Sequence, residues 1–164
     1  MAQDFDVPTL RLAASRPRLV LGTLGIGVLA TIVLNIAVSG TFGLLLRLGL
    51  IGFAALVLLL AWRLWQAGAI TLEFDGTVLR ETGGHGRVLA RLSDIEGLDR
   101  GAFAFKPSNG FLIRLATAGE AAWVPGLWWR RGRLVGVGGL LRANEAKFLA
   151  EAIALRLAEG EMRS

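Results

Sequence analysis

Two long apolar stretches dominate the first two-fifths of the chain, and short alternating runs fill the rest. The first stretch, LVLGTLGIGVLATIVLNIAVS (Leu19 to Ser39), has only Thr, Asn and Ser as polar breaks. At about 1.5 Å rise per residue a helix over it is roughly 30 Å long, the thickness of a bilayer's hydrocarbon core. The second, LGLIGFAALVLLLAWRLW (Leu48 to Trp65), extends back to about residue 43, with Arg47 reaching toward the polar interface. SGTFG (Ser39 to Gly43) between them reads as a tight turn. The pattern therefore predicts a transmembrane helical hairpin over 19–66, with spans at about 19–39 and 43–66. A cleaved leader is the rival reading of the first run. It fits poorly, because eighteen residues with Pro8 and Pro17 precede the run, the run is long, and a second span follows at once.

From residue 67 the period shortens. Strands are predicted at 69–74, 77–81, 87–92, 96–105, 111–117, 121–125 and 133–138. Asp75-Gly76, the TGGHG stretch and KPSNG (Lys106 to Gly110) supply turns between them. Strands at this spacing predict an antiparallel meander. Then the period changes to that of a helix over about 144–159. Asn144 is its expected N-cap, Phe148, Leu149, Ala152, Ile153 and Leu157 are its expected core stripe, and Gly160 its end. The expected fold class is an α+β membrane protein: a hairpin at 19–66 after an N-terminal segment 1–18, then a domain at 67–164 of seven antiparallel strands capped by a C-terminal helix.

ITLEFDGTVLRE (Ile70 to Glu81) forms the first β-hairpin of this layout. RLSDIEGL (Arg91 to Leu98) forms its middle bend, and VGVGGLLRANEAKFLAEAIALRL (Val135 to Leu157) its last strand and helix. Over most of 69–157 the chain resembles the bacterial membrane-anchored PH-like (pleckstrin-homology-like) domain proteins with an N-terminal two-helix hairpin. The resemblance implies a seven-stranded barrel or sheet closed by the terminal helix. Its motifs are architectural and carry over no catalytic residue.

Charge sharpens the orientation. The net charge is +5, but from residue 68 onward thirteen Lys/Arg face eleven Asp/Glu, a balance of only +2. That argues against a nucleic-acid binder and places the basic excess beside the spans. Arg16 and Arg18 precede the first span, while Trp62, Arg63 and Trp65 border the second. These residues, with Arg47, are the candidate membrane-interface anchors. The positive-inside rule then puts both termini in the cytoplasm of a bacterial inner membrane. Gly22, Gly25, Gly27, Ala30 and Ala37 on the first span, and Gly43, Gly49 and Gly52 on the second, are expected to let the two helices pack closely; the alternative is a seam for another subunit. Asn35 is expected at the outer interface.

Candidate chemistry is sparse. There is no cysteine, and His85 is the single histidine, in a glycine-rich turn. A general base needs a partner and a pocket, and a metal needs several ligands, so no catalytic residue, cofactor or metal is expected. Asp94 is expected to cap its own bend, and GVGG (Gly136 to Gly139) to be a strand that a helix crosses closely. One stretch stands out. WVPGLWWRRGRLVGVGG (Trp123 to Gly139) holds three of the five tryptophans and three arginines. Trp123 is expected in the core by alternation with Val124, and Val135 and Val137 on one side of the last strand. The loop Gly126 to Arg133 is left to contact a partner or lipid through Trp128, Trp129, Arg130, Arg131 and Arg133. The expected function is a non-enzymatic interaction module, an accessory or assembly subunit that docks a membrane protein; an anionic-lipid sensor is the alternative.

Overall fold

The structure, a computed structural model, describes residues 9–99 and 110–162. Its elements in chain order are β1 (Leu10–Ala13), α1 (Arg16–Ser39), α2 (Leu44–Ala67), β2 (Thr71–Phe74), β3 (Val78–Thr82) and β4 (Val88–Arg91). A 3-10 turn (Leu92–Asp94), β5 (Ile95–Asp99), β6 (Phe111–Val124), β7 (Trp128–Val137) and α3 (Ala143–Glu161) follow. The strands make two antiparallel sheets, ordered β1-β2-β3-β4 and β5-β6-β7. The α+β layout is present: two long apolar helices, two antiparallel sheets and a C-terminal helix.

The largest departure from the sequence pattern is β1. Residues 10–13 are not part of a separate N-terminal segment but the first strand of a sheet, pairing with β2 in the register Leu10↔Phe74 to Ala13↔Thr71. The whole helical hairpin is thus inserted into the connection between two adjacent strands. A ladder of charge crosses the three strands at this point. Arg11 Nε lies 3.0 Å from Glu73 Oε1, and Arg80 Nε lies 3.5 Å from Glu73 Oε2. The Glu73 side chain is 9% exposed, so the two flanking guanidinium groups supply the pairing that a buried carboxylate needs.

Both feet of the hairpin are tied to the domain. The Ser15 amide donates to the Leu140 carbonyl (2.9 Å), and Arg18 Nη1 to the Leu141 carbonyl (2.8 Å). At the other foot, the end of α2 meets the domain at Gly126, where a Cβ would come within 3.1 Å of Leu64 Cδ1, while Gly68 packs closely on Leu19 of α1. Small residues bring the helices together: Ala30 and Ala37 on α1 and Ala54 and Ala61 on α2 are buried, each pair seven residues apart. The glycines behave otherwise. Gly22 makes ordinary contact with Leu64, whereas Gly25, Gly27, Gly43, Gly49 and Gly52 face open space. Close packing is therefore the work of the alanines, which bring the backbones together while keeping helix propensity. Thr23 and Thr31 donate their hydroxyls to the carbonyls of Leu19 and Gly27 one turn back, so neither leaves an unpaired donor in the apolar stretch.

The domain core lies between the sheets and α3. Leu12, Leu72, Phe74, Leu79 and Leu89 come from the first sheet, Phe111, Ile113, Leu115, Val135 and Val137 from the second, and Ala146, Leu149, Ala150 and Ile153 from α3. Phe148 is exposed, so the helix's inward stripe is rotated by about one residue from that expected, toward Ala146 and Ala150, whose small side chains let it sit close to the sheets. The α3 N-cap is Arg142, not Asn144, and the helix continues through Gly160 to Glu161. The two strands expected at 111–117 and 121–125 are one strand, β6, with register shifts that absorb its extra residues between Arg114 and Ala122. Of the strand expected at 96–105, residues 100–105 lie outside the described residues, as does the KPSNG turn up to Asn109.

The β2–β3 turn is closed by Asp75, whose Oδ1 accepts from the Thr77 hydroxyl and the amides of Thr77 and Val78 at 2.8–2.9 Å, and Gly76 takes φ 92°. Burial raises the Asp75 carboxyl, but the Thr77 and Val78 hydrogen bonds and the Arg80 charge outweigh it and hold the group below its ordinary 3.8. A depressed carboxylate contributes stability above its unfolded value and loses it as pH falls through the folded one. Asp75→Asn should therefore narrow the stability difference between neutral pH and pH below 4, read as thermal midpoints at both.

Because Ala13 faces Thr71 in the register, residues 68–164 alone lack the strand that carries Leu12. Expressed alone, they should be unfolded or aggregated. Joining Ala14 to Ile70 through an Asn-Gly turn should restore a cooperative, soluble domain, checked by near-ultraviolet dichroism and urea unfolding.

Candidate interaction surface

Glu81 occupies an inward position on β3 beside Leu79, with 1% of its surface exposed. Its carboxylate is satisfied twice: Oε2 accepts from Trp128 Nε1 at 3.0 Å and Oε1 from the His85 amide at 3.0 Å. The first bond joins the two sheets at the start of β7, and the second folds the β3–β4 turn back onto the strand. Trp128 is 2% exposed, so it is a core residue and not a partner or lipid contact. The reason is register. Trp128 pairs with Val124, and both point inward with the β6–β7 turn residue Leu127. Trp123, on the opposite phase, is 59% exposed, against the expectation from alternation with Val124.

The expected loop from Gly126 to Arg133 is mostly strand. Pro125 to Leu127 form the turn, and β7 begins at Trp128. The outer parts of β6 and β7 make a two-stranded ribbon with the pairs Trp123↔Trp129, Ala122↔Arg130 and Gly119↔Gly132. Two glycines let large side chains lie flat on it. A Cβ at Gly136 would occupy the Trp129 indole, and one at Gly119 the Arg130 guanidinium. Trp129 thus lies over Gly136, on the face opposite the fully buried Val135 and Val137. The result is an open groove of ≈ 770 Å³ lined by Ala121, Ala122, Trp123, Trp129, Arg130, Arg131 and Leu134. Arg131 and Arg133 are exposed, and Arg130 is half-buried with its Nε lacking a hydrogen-bond partner. The ribbon between Ala116 and Leu134 has one acidic residue, Glu120, against these three arginines.

The turn of the ribbon sits at the hairpin base. Gly126 (φ 74°) lies beside Leu64 and Leu140, and its carbonyl accepts from the Leu140 amide at 2.6 Å. Gly139 (φ 83°) comes so close that a Cβ there would stand 2.6 Å from the Gly126 oxygen. The close approach in GVGG is therefore to this turn and not to a crossing helix. Trp62, Arg63 and Trp65 project outward from the last turns of α2 around Leu64, and Arg16 is exposed at the start of α1. Arg47 lies at the far end, where its Nη2 donates to the Gly40 carbonyl at 3.1 Å. The structure thus gathers Arg16, Arg18, Trp62, Arg63 and Trp65 at the base and sets Arg47 apart.

The remaining candidates have structural employment. His85 is exposed at its turn and contributes its amide to Glu81. Asp94 does not cap its own bend; its carboxylate accepts from the Thr117 amide (3.0 Å) and hydroxyl (2.7 Å) across to β6. A second cleft of ≈ 620 Å³ lies between the 3-10 turn and the end of α3, with Arg91 and Arg156 at its edge. Arg156 is already paired to Glu159 at 3.1 Å. No group of three or more His, Cys, Asp or Glu side chains that could hold a metal occurs among the described residues. Sequence reasoning missed Glu81 as a buried partner. The signal that could have found it is its place two residues after Leu79 in an alternating strand, where a carboxylate must face the core.

Trp128→Phe removes the indole donor while keeping the ring, leaving Glu81 Oε2 buried and unpaired. A loss of about 1–3 kcal/mol is expected in urea unfolding of the turn-joined domain. Adding Glu81→Leu should recover part of it, the sign of coupling in a double-mutant cycle.

Comparison with protein families, curated proteins and solved structures found no match to this chain, so its functional assignment rests on the geometry described above.

Proposed function

We propose that the chain is a non-enzymatic, membrane-anchored interaction module, an accessory or assembly subunit of a bacterial inner-membrane complex, with a PH-like domain on the cytoplasmic side. The observation that carries this reading is the inserted hairpin. Both helices are long and apolar enough to cross a membrane, and only 11% and 17% of their most apolar stretches is buried. The core helix of a soluble domain would be mostly buried, and a leader would not be stitched at both feet into a folded sheet. Four antiparallel strands, three more and a closing C-terminal helix support the PH-like resemblance as an architecture.

Two features favour docking over catalysis. The buried carboxylates Glu73 and Glu81 are both committed to structural partners. The largest of the clefts described above is an exposed Trp-Arg groove, made of residue types enriched at binding hot spots. Rigid tethering adds to this. A domain fixed at two points stands in one orientation to the membrane, which lowers the ordering cost of binding a neighbour in the same membrane.

The absence of cysteine allows a clean topology test. In intact spheroplasts, a membrane-impermeant maleimide should label Thr41→Cys in the hairpin turn and spare His85→Cys until the cells are lysed. Mild-detergent extraction of native membranes should recover the chain in a complex of constant composition. Migration as a lone species under every mild condition would overturn the accessory-subunit reading.

A further inference from the structure

We propose that the outer face of the β6–β7 ribbon is a lipid-contact surface, resting Trp123 and Trp129 in the headgroup layer with Arg131 and Arg133 on anionic phosphates. The proposal rests on the reading of α1 and α2 as a membrane anchor, and it names what the Trp-Arg groove meets.

Position is the first argument. The ribbon's turn touches Leu64, between Trp62 and Trp65, which are 60% and 53% exposed. Exposed tryptophans at the end of an apolar helix mark the depth of the bilayer interface. Trp123 and Trp129 each lie three residues from Gly126, about 10 Å along a strand. The ribbon therefore leaves α2 at the height of the interface and carries its own tryptophans within a headgroup layer's reach of it. The two feet of the hairpin, held by Ser15, Arg18 and the β1–β2 register, prevent the domain from swinging away.

Chemistry is the second. The groove is lined by apolar Trp123, Trp129, Ala122 and Leu134 together with Arg130 and Arg131, and exposed Arg133 follows two residues on along β7. Arg131 and Arg133 make no ion pair within the described residues. An apolar lining beside unpaired cations complements an amphiphile whose phosphate lies above its acyl chains. Trp123 is the diagnostic residue. It is the most exposed of the three tryptophans on β6 and β7, and its partner Trp129 is held flat over Gly136.

The test uses the full chain in nanodiscs of phosphatidylcholine, with and without phosphatidylglycerol, in which the lipids carry bromine near the top of the acyl chain. Wild type, Trp62→Phe and Trp123→Phe are compared for the share of tryptophan emission that bromine quenches. Each substitution should lower that share, and the Trp123 contribution should grow with phosphatidylglycerol. Arg131→Ala combined with Arg133→Ala should abolish the growth while leaving the Trp62 contribution intact. If Trp62→Phe lowers the quenched share and Trp123→Phe does not, the chain is anchored but the groove faces water or an acidic protein, and the proposal is overturned. If neither lowers it, the anchor reading itself fails and takes the proposal with it. A Trp123 contribution indifferent to phosphatidylglycerol would overturn the anionic preference.

Discussion

The pairing of β1 with β2 constrains everything else in the molecule. Ala13 stands opposite Thr71, so the chain leaves the sheet at one strand and re-enters it at the next after passing through two long helices. An ordinary tether joins an anchor to a domain at one point and leaves the domain free to pivot. Here two adjacent strands hold the hairpin, and the Ser15, Arg18 and Gly126 contacts brace its base against the loop before α3 and the β6–β7 turn. The orientation of the sheets relative to the helices is a property of the fold, and the exposure of the Trp-Arg groove follows from it.

A second bond shapes that groove indirectly. By drawing the Trp128 indole inward, Glu81 fixes the phase of β7, and with it the outward direction of Trp129 and the cross-strand position of Trp123. A buried carboxylate is a costly way to hold a strand, but its two N–H partners repay the desolvation. The bond is also specific. Sliding β7 by one residue would place Trp129 at the carboxylate and turn the arginines over.

Local pattern made much of this visible. The two long apolar helices, the Asp75 turn, the meander order and the terminal helix all follow from periodicity and turn chemistry within short windows. What escaped the sequence depends on partners far apart. β1 is four residues long, and its pairing is decided by a strand on the other side of the hairpin. The Ala118–Glu120 stretch reads as a break between two strands but is an irregularity inside β6, whose first residues pair with both β5 and β7 and whose last pair with β7 alone. The phase of Trp123 and Trp128 turned on the same irregularity, and the outward glycines of the helices depended on which face the alanines had taken. At the Trp-Arg surface the residue types were legible, and the side of the strand each occupies was not.

The inserted hairpin also bears on how the chain assembles. β1 is synthesised before either helix, yet its hydrogen-bonding partner does not exist until both are complete. Closing so long a loop in a disordered chain carries an entropic cost. An antiparallel helix pair removes most of it, because once α1 and α2 dock, their ends stand side by side and deliver β1 and β2 to one another. Docking of α1 on α2 thus lowers the cost of pairing β1 with β2, so the packing at Ala30, Ala37, Ala54 and Ala61 serves the sheet as well as the hairpin.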